Sequence, residues 1–441
     1  MSGLARMLLD CGAVVSGSDR KTNRQIAELM ARGAKISFEQ RGELLTEKTD
    51  LVVRTAAVKD NHEEMLAADS LGLQSIKYAQ LLGEVMRERQ GVAIAGTHGK
   101  STTTAMTAFA LLRCNLDPSF VVGGTVPQLG GVGSRSGGGE SFIAEACEYD
   151  RSFHSLAPRV AVITNIEEDH LDCYKNIYEI IESFRKFAAL VPDDGLIIAN
   201  GRDPNVAKVV KDTSARVETV SLGEDTIWST HRRGIVDGCH QGLVHYRGRP
   251  VATLRMGVAG EHNLINATMA LAAAHACGAT DLQAVADALG QFRGVDRRMT
   301  VMGTVNGAQV VDDYAHHPTE IRTTLQALRE RFAPRRLVCV FQPHQHSRTR
   351  HLLEDFATSF SAADQVVMPD IYFVRDSEEE RRSVCADDLV KMIKTGGHNA
   401  LHIPKFGDIV AHLRSTVREG DLVVTMGAGD VNLIANDLVG A

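Results

Sequence analysis

The sequence has no apolar run that approaches the ~20 residues of a transmembrane helix. A positively charged segment leading into a short apolar core, the mark of a secretory leader, is also missing. The eight cysteines are scattered, and no two of them form a C-x-x-C pair. That spacing argues against a zinc ribbon or a disulfide framework and favours free thiols in a reducing compartment. We therefore expect a cytoplasmic protein with no membrane partner.

The sequence also has no excess of positive charge, since 55 acidic residues outnumber 48 lysines and arginines. The formal net charge is -7, which leaves no broad basic surface for nucleic acid but is compatible with a local cationic pocket for an anionic ligand. What is present is a globular composition, with 44% hydrophobic and 23% charged residues. At 441 residues the chain exceeds a single ordinary core, so its length predicts roughly three domains.

The region 1–89 alternates short strands and helices, which predicts an open α/β unit. Its first helix is indicated by apolar residues at helical spacing, namely Leu4, Met7, Leu8 and Cys11. The other predicted elements are strands at Ala13–Ser16 and Leu51–Arg54 and helices at Asn61–Leu71 and Tyr78–Arg89.

Two more α/β units are predicted, at 90–294 and 295–441. The first opens with "GVAIAGTHGKSTTTAMTAFALL", an apolar strand that runs through a glycine turn into a helix. In this unit we also predict strands at Ser141–Ala144 and Val160–Thr164, a helix at Ile177–Leu190, a small β subregion over 216–256 and a flexible surface loop at 130–139. In the last unit we predict strands at Gln309–Asp312, Leu337–Phe341, Gln365–Met368 and Leu422–Thr425. The fold class is therefore α/β with three domains.

The stretch "AIAGTHGKST" is the strongest chemical signal. A strand that ends at Gly96, a turn closed by Gly99 and a helix opened by Lys100 and Ser101 place backbone N–H groups and a helix N-terminus where phosphates bind. The lysine would neutralise phosphate oxygens and the serine hydroxyl would coordinate magnesium. The loop is shorter than the usual G-x-x-x-x-G-K-[ST] pattern. The predicted nucleotide-binding residues here are Gly96, Thr97, His98, Gly99, Lys100, Ser101 and Thr102.

Two clusters offer ligands for a metal ion. Glu145 and Glu148 lie in "IAEACEYD" at the end of a predicted strand, and His170 lies in "VITNIEEDHLD" just past the next one. Carboxylates beside phosphates suit magnesium, which prefers oxygen ligands, whereas a histidine is less expected. Taken alone, "EEDHLD" is more often a solvated loop or a helix cap. Its position at strand ends, where open α/β sheets bind ligands, favours a functional site.

A third group of polar residues lies downstream. "GEHNLINATMA" places His262, Asn263 and Asn266 at the start of an alanine-rich helix, where they could hydrogen-bond a base. "GVDRRM" offers Arg297, and Asp313, His316 and His317 lie between a strand and a helix that begins near Pro318. Asp313 is suited to hold a pair of ribose hydroxyls. Each residue has a plain structural interpretation as a cap, a surface arginine or a satisfied turn, so the argument for a site rests on their combination.

At this point the sequence resembles a known family. The motifs "GTHGKSTTT", "EACEYD", "TNIEEDHLD", "GEHNLINA", "GVDRRM", "DDYAHHP" and "FQPHQHSRTR" occur in the order seen in the ATP-dependent Mur ligases of peptidoglycan synthesis. The resemblance runs from residue 1 to the last strand. "GTHGK" together with "DDYAHHP" is typical of two branches. One joins L-alanine to UDP-N-acetylmuramate and is the better match; the other attaches a recycled tripeptide to the same sugar nucleotide.

The resemblance implies a Rossmann-like N-terminal domain for the UDP sugar, a central P-loop ATPase domain and a Rossmann-like C-terminal domain that brings the amino acid. It also implies that ATP converts the lactyl carboxylate into an acyl phosphate, which the alanine amine attacks with loss of phosphate. The process served would be cell-wall biogenesis, and through it cell shape and division. Because such a site is divided among domains, domain motion is expected.

Roles carried over by motif follow the same resemblance. Lys100 and Ser101 would contact the phosphates of ATP, and Asn263 and Asn266 would face adenine. Arg297 and Asp313 would reach ATP from across the domain gap. Glu145 and His170 would hold two magnesium ions, with Glu148 nearby and Ser101 as a further ligand. The implied catalytic residues are Lys100, Glu145, His170, His316 and Arg348. His316 and Arg348 would orient the alanine. Gln345 stands where many alanine ligases have an arginine, which leaves Arg348 to bind the alanine carboxylate.

Three alternatives are weighed against this interpretation. The tripeptide-attaching branch needs more room for its amine donor, and the short spacing of "EYDRSFHSLAP" argues mildly against it. A nicotinamide-dependent dehydrogenase would explain two Rossmann-like ends but has no use for the Lys100–Ser101 loop and the acidic cluster. A non-catalytic nucleotide-binding protein would not need Lys100, Glu145 and His170 together.

The first residues carry one more expectation. In the family, "MSGLA" follows a strand and a glycine-rich turn, so that Met1 matches an internal methionine. We expect the native chain to start upstream with about 15 to 20 more residues, enough for one strand and its turn. Without that strand, we expect a loosened first domain and weak affinity for the UDP sugar, because the pyrophosphate loses much of its backbone N–H cradle.

Overall fold

A ten-stranded sheet forms the centre of the fold, between two small N-terminal sheets and a six-stranded C-terminal sheet in chain order. The structure, a computed structural model, describes residues 1–440. No helix in those residues combines the length and the apolar character needed to cross a membrane.

The N-terminal unit is built from short elements. They are α1 (Ser2–Asp10), β1 (Ser16–Ser18), α2 (Arg24–Ala31), β2 (Lys35–Ser37), β3 (Val52–Arg54), α3 (Glu63–Ser70), β4 (Ser75–Lys77) and α4 (Tyr78–Arg87). The strands form two separate parallel pairs, β1 with β2 and β3 with β4. The strand expected at Ala13–Ser16 is displaced, because its register with β2 begins at Ser16 and Val14 is 97% exposed.

Helix α1 is attached to the central unit. Its Met7 is buried in a core cluster of the central sheet. A Cβ on Gly3 would lie 3.2 Å from the Cβ of Ser134, so the two backbones are in close contact. The helix therefore packs on the central sheet with its apolar face, as its spacing predicts.

The central unit carries its helices on both faces of the sheet. Its elements are β5 (Gln90–Ala95), α5 (Lys100–Arg113), β6 (Ser119–Val126), β7 (Val132–Arg135), β8 (Ser141–Glu145), β9 (Val160–Ile163), α6 (Ile177–Ala188), β10 (Leu196–Asn200), α7 (Pro204–Val210), β11 (Arg216–Leu222), β12 (Trp228–Val236), β13 (Cys239–Tyr246), β14 (Arg249–Arg255), α8 (Glu261–Ala276) and α9 (Leu282–Gln291). The strand order is β14-β13-β12-β11-β10-β9-β5-β8-β6-β7. The neighbours from β6 to β11 in this order are parallel, and β7, β13 and β14 run antiparallel to their neighbours.

Two expectations for this unit need correction. The β subregion over 216–256 is an extension of the main sheet, since β11 pairs with β10 and Trp228 of β12 is fully buried in the same core. The segment 130–139 contains a strand, β7, and Ser134 in it is buried. Backbone carbonyls of Gly137 and Gly139 accept hydrogen bonds from Arg89, so the glycines pack closely and do not form a loose loop.

The C-terminal unit is a second α/β sheet. Its elements are β15 (Thr300–Val305), β16 (Ala308–Asp313), α10 (Pro318–Phe332), β17 (Arg336–Phe341), α11 (His346–His351), α12 (Leu353–Ala357), β18 (Gln365–Met368), α13 (Glu378–Ser383), α14 (Ala386–Thr395), β19 (Ala400–His402), α15 (Phe406–Thr416), β20 (Asp421–Met426) and α16 (Asn432–Val439). The order is β15-β16-β20-β17-β18-β19, parallel except for β15. The carboxyl ends of its strands meet those of the central sheet, and open α/β sheets bind ligands at such edges.

Candidate active site between the central and C-terminal sheets

The glycine loop joins the end of β5 to the start of α5. Gly96 and Gly99 have φ angles of 140° and 82°, a region that side-chain-bearing residues rarely adopt. A Cβ on Gly96 would overlap Thr164 Oγ1, and one on Gly99 would lie 2.8 Å from Asn266 Oδ1. No side chain caps the N-terminus of α5, so its first N–H groups remain available for an anion.

Neighbouring residues hold the loop from behind. The backbone N–H of His98 donates to Asn165 Oδ1 at 2.8 Å, and Thr164 Oγ1 donates to the carbonyl of His98 at 2.6 Å. Thr97 Oγ1 accepts from the N–H of Glu167 at 2.9 Å. The chain after β9 therefore fixes the loop conformation before any ligand binds.

Lys100, Glu148 and His170 lie together beside the loop, with Glu148 buried and the other two largely enclosed. Lys100 Nζ lies 2.9 Å from Glu148 Oε1, and His170 Nε2 lies 3.5 Å from the same oxygen. Burial alone would lower the pKa of Lys100, but the Glu148 carboxylate raises it overall. Burial opposes ionisation of Glu148, yet Lys100 and His170 lower its pKa. Both shifts favour a charged lysine beside a charged carboxylate.

The set has donor atoms suited to a divalent cation. Glu148 Oε2 and His170 Nδ1 are buried without a hydrogen-bond partner. Glu145, in contrast, accepts a hydrogen bond from the N–H of Gly123 and lies on the β6 side of the site. Of the expected magnesium ligands, the structure thus brings Glu148 and His170 into contact and leaves Glu145 apart from them. A carboxylate oxygen and an imidazole nitrogen fit a cation that sits next to phosphate groups.

A buried ion pair connects this set to the C-terminal unit. Arg348 donates from Nε and Nη2 to Asp169 Oδ1, at 3.1 and 2.8 Å, and both residues are buried. Its Nη1 lies 3.3 Å from the carbonyl of His344. Burial would raise the pKa of Asp169, but Arg348 holds it well below its ordinary value. Arg348 was expected to orient the amino acid. Here its guanidinium donates to Asp169 and to the carbonyl of His344 instead.

Tyr149 makes a second link to His170. Its ring packs edge-on to the His170 ring at 5.2 Å between centroids, and the guanidinium of Arg375 lies over the same tyrosine at 4.7 Å. Arg375 belongs to the loop after β18. The C-terminal unit thus contacts the surroundings of His170 from two directions.

The two asparagines expected to face adenine lie at the phosphate loop. Asn266 is close to Gly99 and donates to Asn263 Oδ1 at 3.2 Å. Asn263 in turn donates to the carbonyl of Ala259 at 2.7 Å. Their side chains are buried between α8 and the loop, so in this arrangement they support the loop.

Arg297 and Asp313 are engaged within the C-terminal unit. Asp313 accepts hydrogen bonds from the N–H groups of Met299 and Ala315, both at 2.8 Å, and burial raises its pKa to about 6. Arg297 pairs with Asp312 at 3.0 Å and donates to the carbonyl of Gly427. Both residues were expected to reach across the domain gap. In this geometry Asp313 is held by backbone N–H groups and Arg297 by the Asp312 carboxylate and a backbone carbonyl, all within their own unit.

His316 faces the gap from the end of β16. Burial lowers its pKa to about 4, although Glu320 opposes the shift, so its imidazole is neutral at pH 7. Glu320 Oε2 accepts from the backbone N–H of His316 at 3.0 Å and lies 3.3 Å from its Nδ1. A neutral imidazole here is able to accept a hydrogen bond from an amine.

Several residues of the site escaped the sequence interpretation. They are Asp169, Glu167, Glu320 and Tyr149, each of which contacts a candidate residue from another segment. Glu320 follows His316 by four residues at the start of a predicted helix, and that spacing could have indicated the pair. The partners of the others are distant in sequence, so no local pattern marks them.

The glycine loop, the buried lysine and the facing α/β units define a nucleotide-binding enzyme of the phosphate-loop class. The chain belongs to the Mur ligase family. Three family models match in succession: the "Mur ligase family, catalytic domain" at residues 1–90, the "Mur ligase middle domain" at 94–274 and the "Mur ligase, glutamate ligase domain" at 297–429.

Relatives with assigned names cover nearly the whole chain. A UDP-N-acetylmuramate–L-alanine ligase of Caldanaerobacter subterraneus is 42% identical over 98% of this chain and 93% of its own length. One from Clostridium novyi is 40% identical over the same shares. Among solved structures, the UDP-N-acetylmuramate–alanine ligase of Thermotoga maritima matches with a TM-score of 0.83 and 26% identity, covering 100% of this chain and 96% of that one. A murein peptide ligase of Psychrobacter arcticus matches over the same shares with a TM-score of 0.73 and 26% identity.

Proposed function

We propose that the protein joins L-alanine to UDP-N-acetylmuramate at the expense of ATP. The observation that carries this proposal is the match, at about 40% identity over nearly the whole chain, to relatives named for that reaction. The higher TM-score of the alanine ligase structure than of the murein peptide ligase structure supports the same choice. The reaction is a cytoplasmic step of peptidoglycan synthesis, in keeping with eight free cysteines.

The chemistry follows from the poor reactivity of a carboxylate. A lactyl carboxylate oxygen attacks the γ-phosphorus of ATP, the bond to the bridging oxygen breaks, and ADP leaves. The alanine amine then attacks the carbonyl carbon of the acyl phosphate, an amide bond forms, and inorganic phosphate leaves with the electrons of the C–O bond. The amine loses a proton in this second step.

The residues of the central unit serve the first step. The glycine loop and the N-terminus of α5 hold the phosphates, and Lys100 exchanges its contact with Glu148 for one with a phosphate oxygen. Magnesium ions, when bound, would neutralise phosphate charge; Glu148 and His170 would hold one of two ions, and Glu145 and Ser101 would supply ligands apart from that pair. Both oxygens of Glu148 would then be free to act as ligands, because Oε2 is buried without a hydrogen-bond partner and Oε1 would no longer be paired with Lys100.

The C-terminal unit serves the second step. We assign His316 to the amine, because its neutral imidazole is suited to accept a hydrogen bond from it and so to orient it. Arg348 affects alanine binding indirectly. Its ion pair with Asp169 fixes the position of the C-terminal unit next to His170. We assign residues 1–89 to the UDP sugar, 90–294 to ATP and 295–441 to the amino acid.

The test is phosphate release from ATP with the full chain. Release should require UDP-N-acetylmuramate and L-alanine together, and each alone should give only background. If release depends on the sugar nucleotide and the tripeptide L-alanyl-γ-D-glutamyl-diaminopimelate but not on L-alanine, the protein belongs to the other branch. Nucleotide binding with no release under any substrate combination would contradict both ligase assignments.

A further inference from the structure

A second group of metal-ligating side chains lies outside the set around Glu148. The donor atoms of His98, Glu167 and His317 all lie within 4.8 Å of one another, and they form the one such group of three in residues 1–440. His98 Nε2 is 3.6 Å and His317 Nδ1 is 3.8 Å from Glu167 Oε2. Ligand atoms around a tetrahedral zinc with bonds of about 2 Å lie closer together than these separations, so the three side chains would draw together on binding an ion.

The remaining atoms of the three side chains have partners that orient them for a metal. His98 Nδ1 lies 3.3 Å from Glu320 Oε1, while its Nε2, on the side of Glu167, is buried with no hydrogen-bond partner. His317 Nε2 lies 3.1 Å from the carbonyl of Glu168. A metal-bound histidine usually donates its other N–H to a carboxylate or a backbone carbonyl in this way.

The third side chain is held as well. Thr319 Oγ1 donates to Glu167 Oε2 at 2.6 Å, which fixes the carboxylate between the two imidazoles. The backbone N–H of Thr319 also reaches His317 Nδ1, at a long 3.3 Å, and this is the contact that a metal would replace.

The local field favours a cation. Two carboxylates flank the His98 ring, with Glu167 Oε2 3.6 Å from its Nε2 and Glu320 Oε1 3.3 Å from its Nδ1. These carboxylates would attract a divalent ion to the side of Nε2, where the imidazole binds as the neutral ligand. The cluster therefore has an anionic field, an unpartnered nitrogen and oriented ligands.

We propose that His98, Glu167 and His317 bind a zinc-class transition metal ion. Two imidazoles and one carboxylate form a ligand set that such ions prefer over magnesium, with a fourth position left for water. The ligands come from the phosphate loop, the segment after β9 and the N-terminus of α10. A bound ion would consequently join the central and C-terminal units and hold the phosphate loop in place.

The experiment is equilibrium dialysis of the chelator-treated full chain against zinc, without nucleotide. We compare the wild type with Glu167→Gln and His317→Asn; asparagine preserves an N-cap acceptor for α10. Two controls keep the proposed ligands. His351→Asn removes a nearby half-exposed imidazole, and His170→Asn disrupts the set at Glu148.

The wild type and both controls should bind one zinc ion at this site. Glu167→Gln and His317→Asn should bind zinc at least about tenfold more weakly. Equal stoichiometry and affinity in the wild type and these two variants would overturn the proposal. If thermal unfolding shows that either variant does not fold, the test is the absorption spectrum of bound cobalt in the wild type and in His170→Asn. Intense tetrahedral bands in both are expected, and their absence from His170→Asn would overturn the proposal.

Discussion

At the scale of single residues, the neighbours of Lys100 show how the site is held before substrates bind. Its ammonium group contacts Glu148 and the carbonyls of Gly96 and Thr97, so a protein carboxylate occupies the place of a phosphate. A charge that interacts with transferring phosphate contributes mainly in the transition state. Removing either partner would be costly, because the other would be left as an uncompensated charge in a largely enclosed site.

We predict that Lys100→Ala lowers turnover by about a thousandfold or more, because the phosphate charge that develops during transfer loses its main cation. Lys100→Arg is the matched control, which keeps the charge and should retain more activity. The measurement is phosphate release, with thermal unfolding of each variant alongside. Near wild-type turnover in a folded Lys100→Ala protein would contradict the assignment of the loop.

Arg348 and Gln345 are distinguished by their partners. We predict that Arg348→Ala raises the KM for L-alanine far more than Gln345→Ala does, about tenfold or more, because it removes a buried charge and leaves Asp169 unpaired. The Gln345 side-chain nitrogen has no hydrogen-bond partner to lose. Steady-state kinetics at saturating ATP and sugar nucleotide measure both constants. Similar KM values for the two variants would contradict the role given to Arg348.

At the scale of elements, the turn between β5 and α5 requires glycine for steric reasons. Gly96→Ala places a methyl group onto Thr164 Oγ1 at a φ of 140°, so the loop must shift. We predict that this variant loses at least about tenfold in ATP affinity, because the N–H groups at the start of α5 no longer converge on the phosphates. Isothermal titration with ATP measures the loss.

Gly407→Ala is the control for that prediction. Gly407 lies in α15 with open space around it, so alanine there should leave ATP affinity unchanged and stabilise the helix by about 0.5–1 kcal/mol. Unchanged ATP affinity in Gly96→Ala would mean that the loop does not bind the phosphates.

At the scale of the whole molecule, the central and C-terminal units meet through buried polar contacts. The Asp169–Arg348 pair, the bond from Thr319 to Glu167 and the contact of His317 with the Glu168 carbonyl all cross this boundary. Such contacts exchange for water more readily than an apolar core does, which suits units that must open and close during turnover.

We predict that Asp169→Asn shifts the protein towards an open arrangement, since breaking one side of a buried ion pair costs about 3–5 kcal/mol. The radius of gyration from small-angle X-ray scattering should increase relative to the wild type. Asp194→Asn is the matched control, because Asp194 pairs with Arg159 on an exposed surface within the central unit. An unchanged radius in Asp169→Asn would show that other contacts are sufficient to hold the closed form.

Local sequence patterns determined the elements of this protein. The strand at Gln365–Met368, the helix that begins at Pro318 and the strand–glycine–helix order around Lys100 were all predicted and are confirmed. Each depends on hydrophobic spacing or on the conformations of glycine and proline, which act over a few residues. The order of the motifs along the chain was enough to indicate the family, and the family models and relatives confirm it.

Only the tertiary structure decided which side chains meet. It brought Arg348 to Asp169 and His317 to His98, placed Asn266 against Gly99, and kept Asp313 within its own unit. It also made a strand of residues 132–135 within the glycine-rich segment 130–139, because β6 supplies the neighbouring strand with which they pair. These outcomes depend on which distant groups satisfy buried charges and hydrogen bonds, and that competition is settled when the sheets and the two units pack together.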